Sequence, residues 1–222
     1  MSSENQRDFF EAVKTGDRDK VHELIKQDAE MVNARHEANV SAVLVAMYCR
    51  QTELAQELSE LKELDICEAV AVGNIARVKK LLEENPALAN EFSPDGFPVL
   101  GYAAFFGHLE TLKVLLEARA DPNHQAKNPL KVCPIHSALA FPDEAVALAM
   151  TESLLAAGAD ASARQQAGWT ALHAAAAHGS IELINLLIRY DADRNAKNDD
   201  GKTPADLAKE KGHTAAAKLL QT

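Results

Sequence analysis

The feature that most constrains this chain is that it repeats itself. Four segments align on one another: DGFPVLGYAAFFGHLETLKVLLEARADPN (95–123), VCPIHSALAFPDEAVALAMTESLLAAGADAS (132–162), AGWTALHAAAAHGSIELINLLIRYDADRN (167–195) and DGKTPADLAKEKGHTAAAKLLQ (200–221). Each opens on a related hexapeptide, PVLGYA, CPIHSA, TALHAA or TPADLA. The second residues, Val99, Pro134, Ala171 and Pro204, are 35, 37 and 33 positions apart. A period of roughly 20–50 residues marks a stack of small units. No such unit buries its apolar face alone, so each must cover its neighbour and build one continuous core.

Other marks recur in register. Gly107–His108, Gly179–Ser180 and Gly212–His213 open the second half of three units, and RAD (119–121), GAD (158–160) and DAD (191–193) close the units. The whole pattern resembles the ankyrin repeat, whose period is about 33 residues and whose signature is T-P-L-H-x-A. Two weaker copies lie upstream, at 8–34 and 65–90, sharing E-A-V, a glycine and a final Asn. Between them, 40–61 reads as a further helix pair. Ala42 to Asp65 spans only 23 residues, so this unit is expected to run into the next without a hairpin finger. The resemblance implies an all-α ankyrin-repeat solenoid: one domain, 1–222, of stacked helix-turn-helix units with β-hairpin or turn fingers. Its seven units are 7–35, 36–64, 65–90, 91–123, 124–163, 164–196 and 197–222. The simple composition and the style of the early units resemble stand-alone bacterial members of the family.

The residues explain why such units form. Gly96, Gly168 and Gly201 sit where a tight turn needs positive φ. Thr170 and Thr203 precede helices and can cap them, and Pro134 and Pro204 suit a first helical turn. Forty alanines against 8 prolines and 10 glycines favour helix. Ala103, Ala104, Ala175 and Ala176 keep first helices thin. Leu112, Leu115, Leu116, Ile184, Leu187 and Ile188 recur at the spacing of one helix face. Unit five departs twice: its finger, 124–133, is two residues too long, and its second helix gains about one turn of four residues. Loop tolerance is the plainest account of both.

Charge narrows the partners. The net charge is −10, split into 20 acids and 11 bases over 1–111, and 13 and 12 over 112–222. That balance argues against nucleic acid. It suggests a partner with a basic segment beside an apolar one. No apolar stretch is long enough for a membrane span, and the N-terminus has no signal-peptide h-region. Three widely spaced cysteines, Cys49, Cys67 and Cys133, fit a reducing compartment. A cytoplasmic monomer is expected.

Catalytic and metal constellations are weak. Cys133 and His136 are three apart, and His173 repeats the position of His136, but no four-ligand set is spaced for a metal. The resemblance makes the T-P-L-H histidine a structural residue that hydrogen-bonds between units. No nucleophile elbow or phosphate loop is present. No cofactor, metal or catalytic residue is therefore expected. The alternative is a small enzyme or metal-binding regulator using His136, His173 and His178. The resemblance implies a non-catalytic adaptor, scaffold or inhibitor that binds another protein through finger tips and first helices on a concave face. On that register the partner-binding candidates are Phe97 and Trp169 after turn glycines, with Tyr48, Phe105, Phe106, Phe141 and His178 at the ends of first helices. Aromatics are good anchors because they present large area on few rotors. Trp169 is expected to be exposed, while Phe106 has an equal claim to filling space beneath a finger.

Overall fold

The computed structural model describes residues 3–36 and 39–221. Residues 37–38 of the expected second unit and the last residue of the seventh lie outside them. Among the described residues fourteen α-helices follow in pairs: α1 (Ser3–Thr15) and α2 (Arg18–Gln27); α3 (Ala42–Tyr48) and α4 (Thr52–Glu60); α5 (Ile66–Ala71) and α6 (Ile75–Glu84); α7 (Val99–Phe105) and α8 (Leu109–Glu117); α9 (Pro134–Leu139) and α10 (Glu144–Ala156); α11 (Ala171–His178) and α12 (Ile181–Arg189); α13 (Pro204–Glu210) and α14 (Thr214–Gln221). The odd-numbered helices pack in one unbroken row from α1 to α13, and α6 to α14 form a second row beside it. One core runs through both, from Phe9 to Leu220. Ala103, Ala104, Ala175 and Ala176 are fully buried in the first row, and Leu112, Leu115, Ile184 and Leu187 in the second. Alanines at these inner positions and leucines or isoleucines at the outer ones let short helices stack closely and still fill the volume between layers.

Local chemistry starts and stops these helices. Thr203 caps α13 by accepting the Asp206 N–H, and Pro134 and Pro204 stand in first turns. The third residue of α5, α9, α11 and α13 accepts the N–H of its own N-cap residue: Glu68 from Asp65 at 3.0 Å, His136 from Cys133 at 3.0 Å, His173 from Thr170 at 3.1 Å, and Asp206 from Thr203 at 3.0 Å. Four side chains of three kinds thus satisfy the same orphan donor of a helix start.

The fingers are reduced to single antiparallel bridges, Arg35–Ser41, Phe92–Pro98 and Arg164–Thr170, and no longer sheet forms among the described residues. Four fingers close by one bond from residue i to i+4: His36 to Val40, Ser93 to Phe97, Gln165 to Trp169 and Asn198 to Lys202. The fifth closes from Ala126 to Val132, so it holds the two extra residues counted in the sequence. Helix α10 has 13 residues where α4, α8 and α12 have nine, which is the additional turn. Between α4 and α5 only residues 61–65 intervene, without a bridge.

Side chains tie one unit to the next. His136 Nε2 donates to Ala163 O and His173 Nε2 to Lys202 O, both at 3.1 Å. His108 reaches back to Ala71 O at 2.9 Å and His213 to Ala177 O at 3.1 Å. Asn90 and Asn123 each grip the following loop with both amide atoms, through Arg119 O and the Asp121 N–H, and through Gly158 O and the Asp160 N–H.

Candidate functional site

A groove of about 760 Å³ opens between the inner row of helices and the fingers, with mostly apolar walls. Tyr48 at the end of α3, Phe105 at the end of α7 and Phe97 form one side. Leu130 and Val132 of the long finger, with Trp169, form another. Ala140, Ala174 and Ala177 line the floor, and His178 and Lys211 close one end. Tyr48, Phe105 and Leu130 are 37%, 49% and 46% exposed, a concentration of large apolar side chains in one concavity.

The gap left by the missing finger explains the Tyr48 wall. With only five residues between α4 and α5, Tyr48 reaches forward to the finger of the fourth pair. Its hydroxyl donates to Asp95 Oδ2 at 2.6 Å, and the Tyr102 hydroxyl donates to Asp95 Oδ1 at 2.7 Å. Ser93 Oγ also donates to Asp95 Oδ1. Burial pushes both phenols well above their ordinary range, with the neighbouring Asp95 carboxylate acting in the same direction. Two phenols that stay protonated are suited to hold one carboxylate by hydrogen bonds. The network fixes the Tyr48 ring against Phe106 and Phe105, at centroid distances of 5.8 and 6.4 Å.

Five of the seven residues expected at a partner surface, Tyr48, Phe97, Phe105, Trp169 and His178, line this groove together. Phe97 and Trp169 do not project from finger tips. Each is half-buried on the returning limb of its finger, with Phe97 6.2 Å from Tyr102 and Trp169 6.0 Å from His173 between ring centroids. The expected exposure of Trp169 is corrected accordingly, because its carbonyl closes the finger and draws the indole onto α11. Phe106 packs among Tyr48, Tyr102 and Phe105 and does not line the groove. Phe141 is also outside it. Helix α9 has six residues where α11 has eight, so Phe141 lies in the turn beyond the helix. Its ring covers Gly107 there, where any side chain would collide with it. Register counting missed Leu130, Val132 and Lys211. The long finger was the available signal for the first two, and Lys211 lies one residue beyond Glu210 at the end of α13.

Two of the three histidines of the alternative reading have structural bonds. In His136 and His173 one ring nitrogen accepts a backbone N–H and the other donates to a carbonyl, so neither ring keeps a lone pair for a metal. Burial holds the pKa of His136 down to about 4 and lowers that of His173. Burial also raises the Cys67 and Cys133 thiols, the latter to about 11, which keeps them protonated and poor as nucleophiles. What the groove can do is desolvate an apolar segment: burying one Leu- or Phe-sized side chain contributes roughly 1.5–3 kcal/mol.

The family model described as "Ankyrin repeat" matches residues 95–127, and that described as "Ankyrin repeats (3 copies)" matches 144–222. Over 50 residues the chain is 50% identical to Protein phosphatase 1 regulatory subunit 27 of Homo sapiens, covering 22% of this chain and 32% of that protein. It is 28% identical over 148 residues to Ankyrin repeat and SAM domain-containing protein 6 of Rattus norvegicus, covering 67% of this chain and 12% of the relative. With Cyclin-dependent kinase 4 inhibitor B of Mus musculus it shares 34% over 125 residues, 54% of this chain and 88% of the relative. The chain thus spans about a third or less of the first two relatives and most of the third. All three are animal proteins, so the bacterial style expected from the sequence gains no support from them.

Proposed function

We propose that this chain, which belongs to the ankyrin-repeat family, is a non-catalytic binding module that seats a segment of another protein in the groove beneath its fingers. The observation that carries this reading is the gathering of Tyr48, Phe105 and Leu130, each more than a third exposed, around one apolar concavity. Solvent-facing apolar residues scattered singly need no explanation, but a shared groove does. Two relatives support a role exercised on other proteins, since their names make one a regulatory subunit of a phosphatase and the other an inhibitor of a kinase. On the same reading the seven units act as one domain and as a monomer. Free cysteines, two of them buried, support a reducing compartment such as the cytoplasm. No helix among the described residues is long and apolar enough to cross a membrane.

The test is affinity capture from native extract with the immobilised protein and with a Phe105→Asp/Leu130→Asp variant. Both residues are exposed, so the variant should unfold at an unchanged temperature. A protein retained by the original chain and lost by the variant supports the reading. Equal retention by both would move the binding surface off the concave face.

A further inference from the structure

We infer, resting on the reading above, that the groove selects a partner segment in which an apolar stretch is followed by a carboxylate, seated beside Lys211. The chain carries 33 acids against 23 bases, yet among the described residues no Asp or Glu lines the groove, and Lys211 is the one Lys or Arg that does. Lys211 caps the C-terminal end of α13, is exposed, and makes no ion pair among the described residues. Its neighbour Glu210 is held by Lys202 at 2.9 Å. Asp199 lies against Gly168, outside the lining. His178 shares the corner with Lys211, and its imidazole is exposed and without a hydrogen-bond partner among the described residues. At the Tyr48 end the nearby carboxylate, Asp95, is already taken up by Tyr48, Tyr102 and Ser93.

The charged lining of the groove therefore has the sign opposite to the net charge of the molecule. An incoming carboxylate meets an uncompensated ammonium at the edge of apolar walls, where a charge-assisted bond is worth more than on an open surface. An incoming ammonium meets only that like charge. A polyphosphate backbone is opposed by the net charge of −10, which leaves a single acid on an otherwise apolar segment as the matching chemistry. The acidic half of the chain, residues 1–111, remains free to attract a basic flank elsewhere on the same partner.

Random 12-residue peptides displayed on phage and selected on the full chain are the probe, followed by titration of the synthesised winners using Trp169 fluorescence. The expected winners place Asp or Glu after two or more apolar residues. Lys211→Glu should weaken them about tenfold or more, and exchanging the peptide acid for Lys should restore binding to that variant. Winners without an acid, or an acidic preference that survives Lys211→Glu, would overturn the inference. The binding-module reading would still stand in that case if Leu130→Asp abolished binding. Binding unmoved by Leu130→Asp, or no enrichment at all, would overturn both. Self-association in sedimentation that Leu130→Asp removes would make a second copy the occupant and also overturn the inference.

Discussion

His136 holds two backbone groups at once, accepting the Cys133 N–H at 3.0 Å and donating to Ala163 O at 3.1 Å. Burial opposes the charged ring, and protonation would also add a hydrogen to the nitrogen that accepts. The folded pKa, about 4, lies below the ordinary 6.5 of the free side chain. Between these values the unfolded chain binds the extra proton and the folded one does not, so stability is full above pH 6.5 and is lost as pH falls toward 4. The shift corresponds to roughly 3 kcal/mol at most, and His173 contributes in the same direction. We expect the His136 ring signals to stay those of the neutral form down to pH 5 in an NMR titration, and the melting temperature to fall over the same interval. A ring that titrates near 6.5 would show that burial does not control it. Glu68 fills the same position with a different second partner. It is completely buried, and Lys62 Nζ lies 2.7 Å from it where the missing finger would otherwise follow. Lys62→Met should cost about 3–5 kcal/mol in denaturant unfolding, because it strands a buried carboxylate. Lys62→Met with Glu68→Gln should recover most of that, since the amide oxygen still accepts the Asp65 N–H. No recovery would mean that the lysine stem matters more than its charge.

Turns between paired helices set how closely adjacent elements approach. Gly107 has φ +78° and its open side is covered by the Phe141 ring. Gly212 has φ +80° with no atom in reach of an added Cβ. Both positions disfavour a side chain on backbone grounds, by about 1–2 kcal/mol, but only Gly107 adds a collision. Gly107→Ala should therefore destabilise more than Gly212→Ala, and Phe141→Ala should reduce the cost of Gly107→Ala in a double-mutant cycle. Equal costs at the two glycines would show that the ring swings aside freely. The long finger belongs to the same scale. Its two additional residues let Ala126 close on Val132 and carry Leu130 over the groove, where Leu130 O accepts the Gln166 N–H of the next finger at 2.9 Å. Deleting two residues from it should leave α9 and α11 in place and remove the Leu130 wall, which ligand titration would detect as lost affinity without lost stability.

Across the whole molecule the buried apolar residues form one cluster through all seven helix pairs, and neighbouring pairs are stitched by histidine and asparagine side chains. In a stack of this kind stability is the sum of unit terms and interface terms, and unbroken interfaces make unfolding cooperative. Urea unfolding followed by Trp169 fluorescence and by far-ultraviolet circular dichroism should give coincident transitions. Separate transitions would show that the stack divides, with the fingerless junction between α4 and α5 as the place to look. The sequence by itself determined the all-α solenoid, the missing finger, the long finger and the additional turn of α10. Each is written as a spacing between short local signals, a turn glycine, a cap, an apolar stripe, and such signals act over a few residues. Only the tertiary structure decided which aromatic residues meet. Tyr48 reaches Asp95 47 positions away, Trp169 lies down on His173, and Phe141 covers Gly107 although counting puts it in register with His178. Lys211 joins the groove from a different pair than Tyr48. These outcomes depend on how far each inner helix continues and on what space its neighbours leave. Packing across units sets both, and no local spacing encodes them.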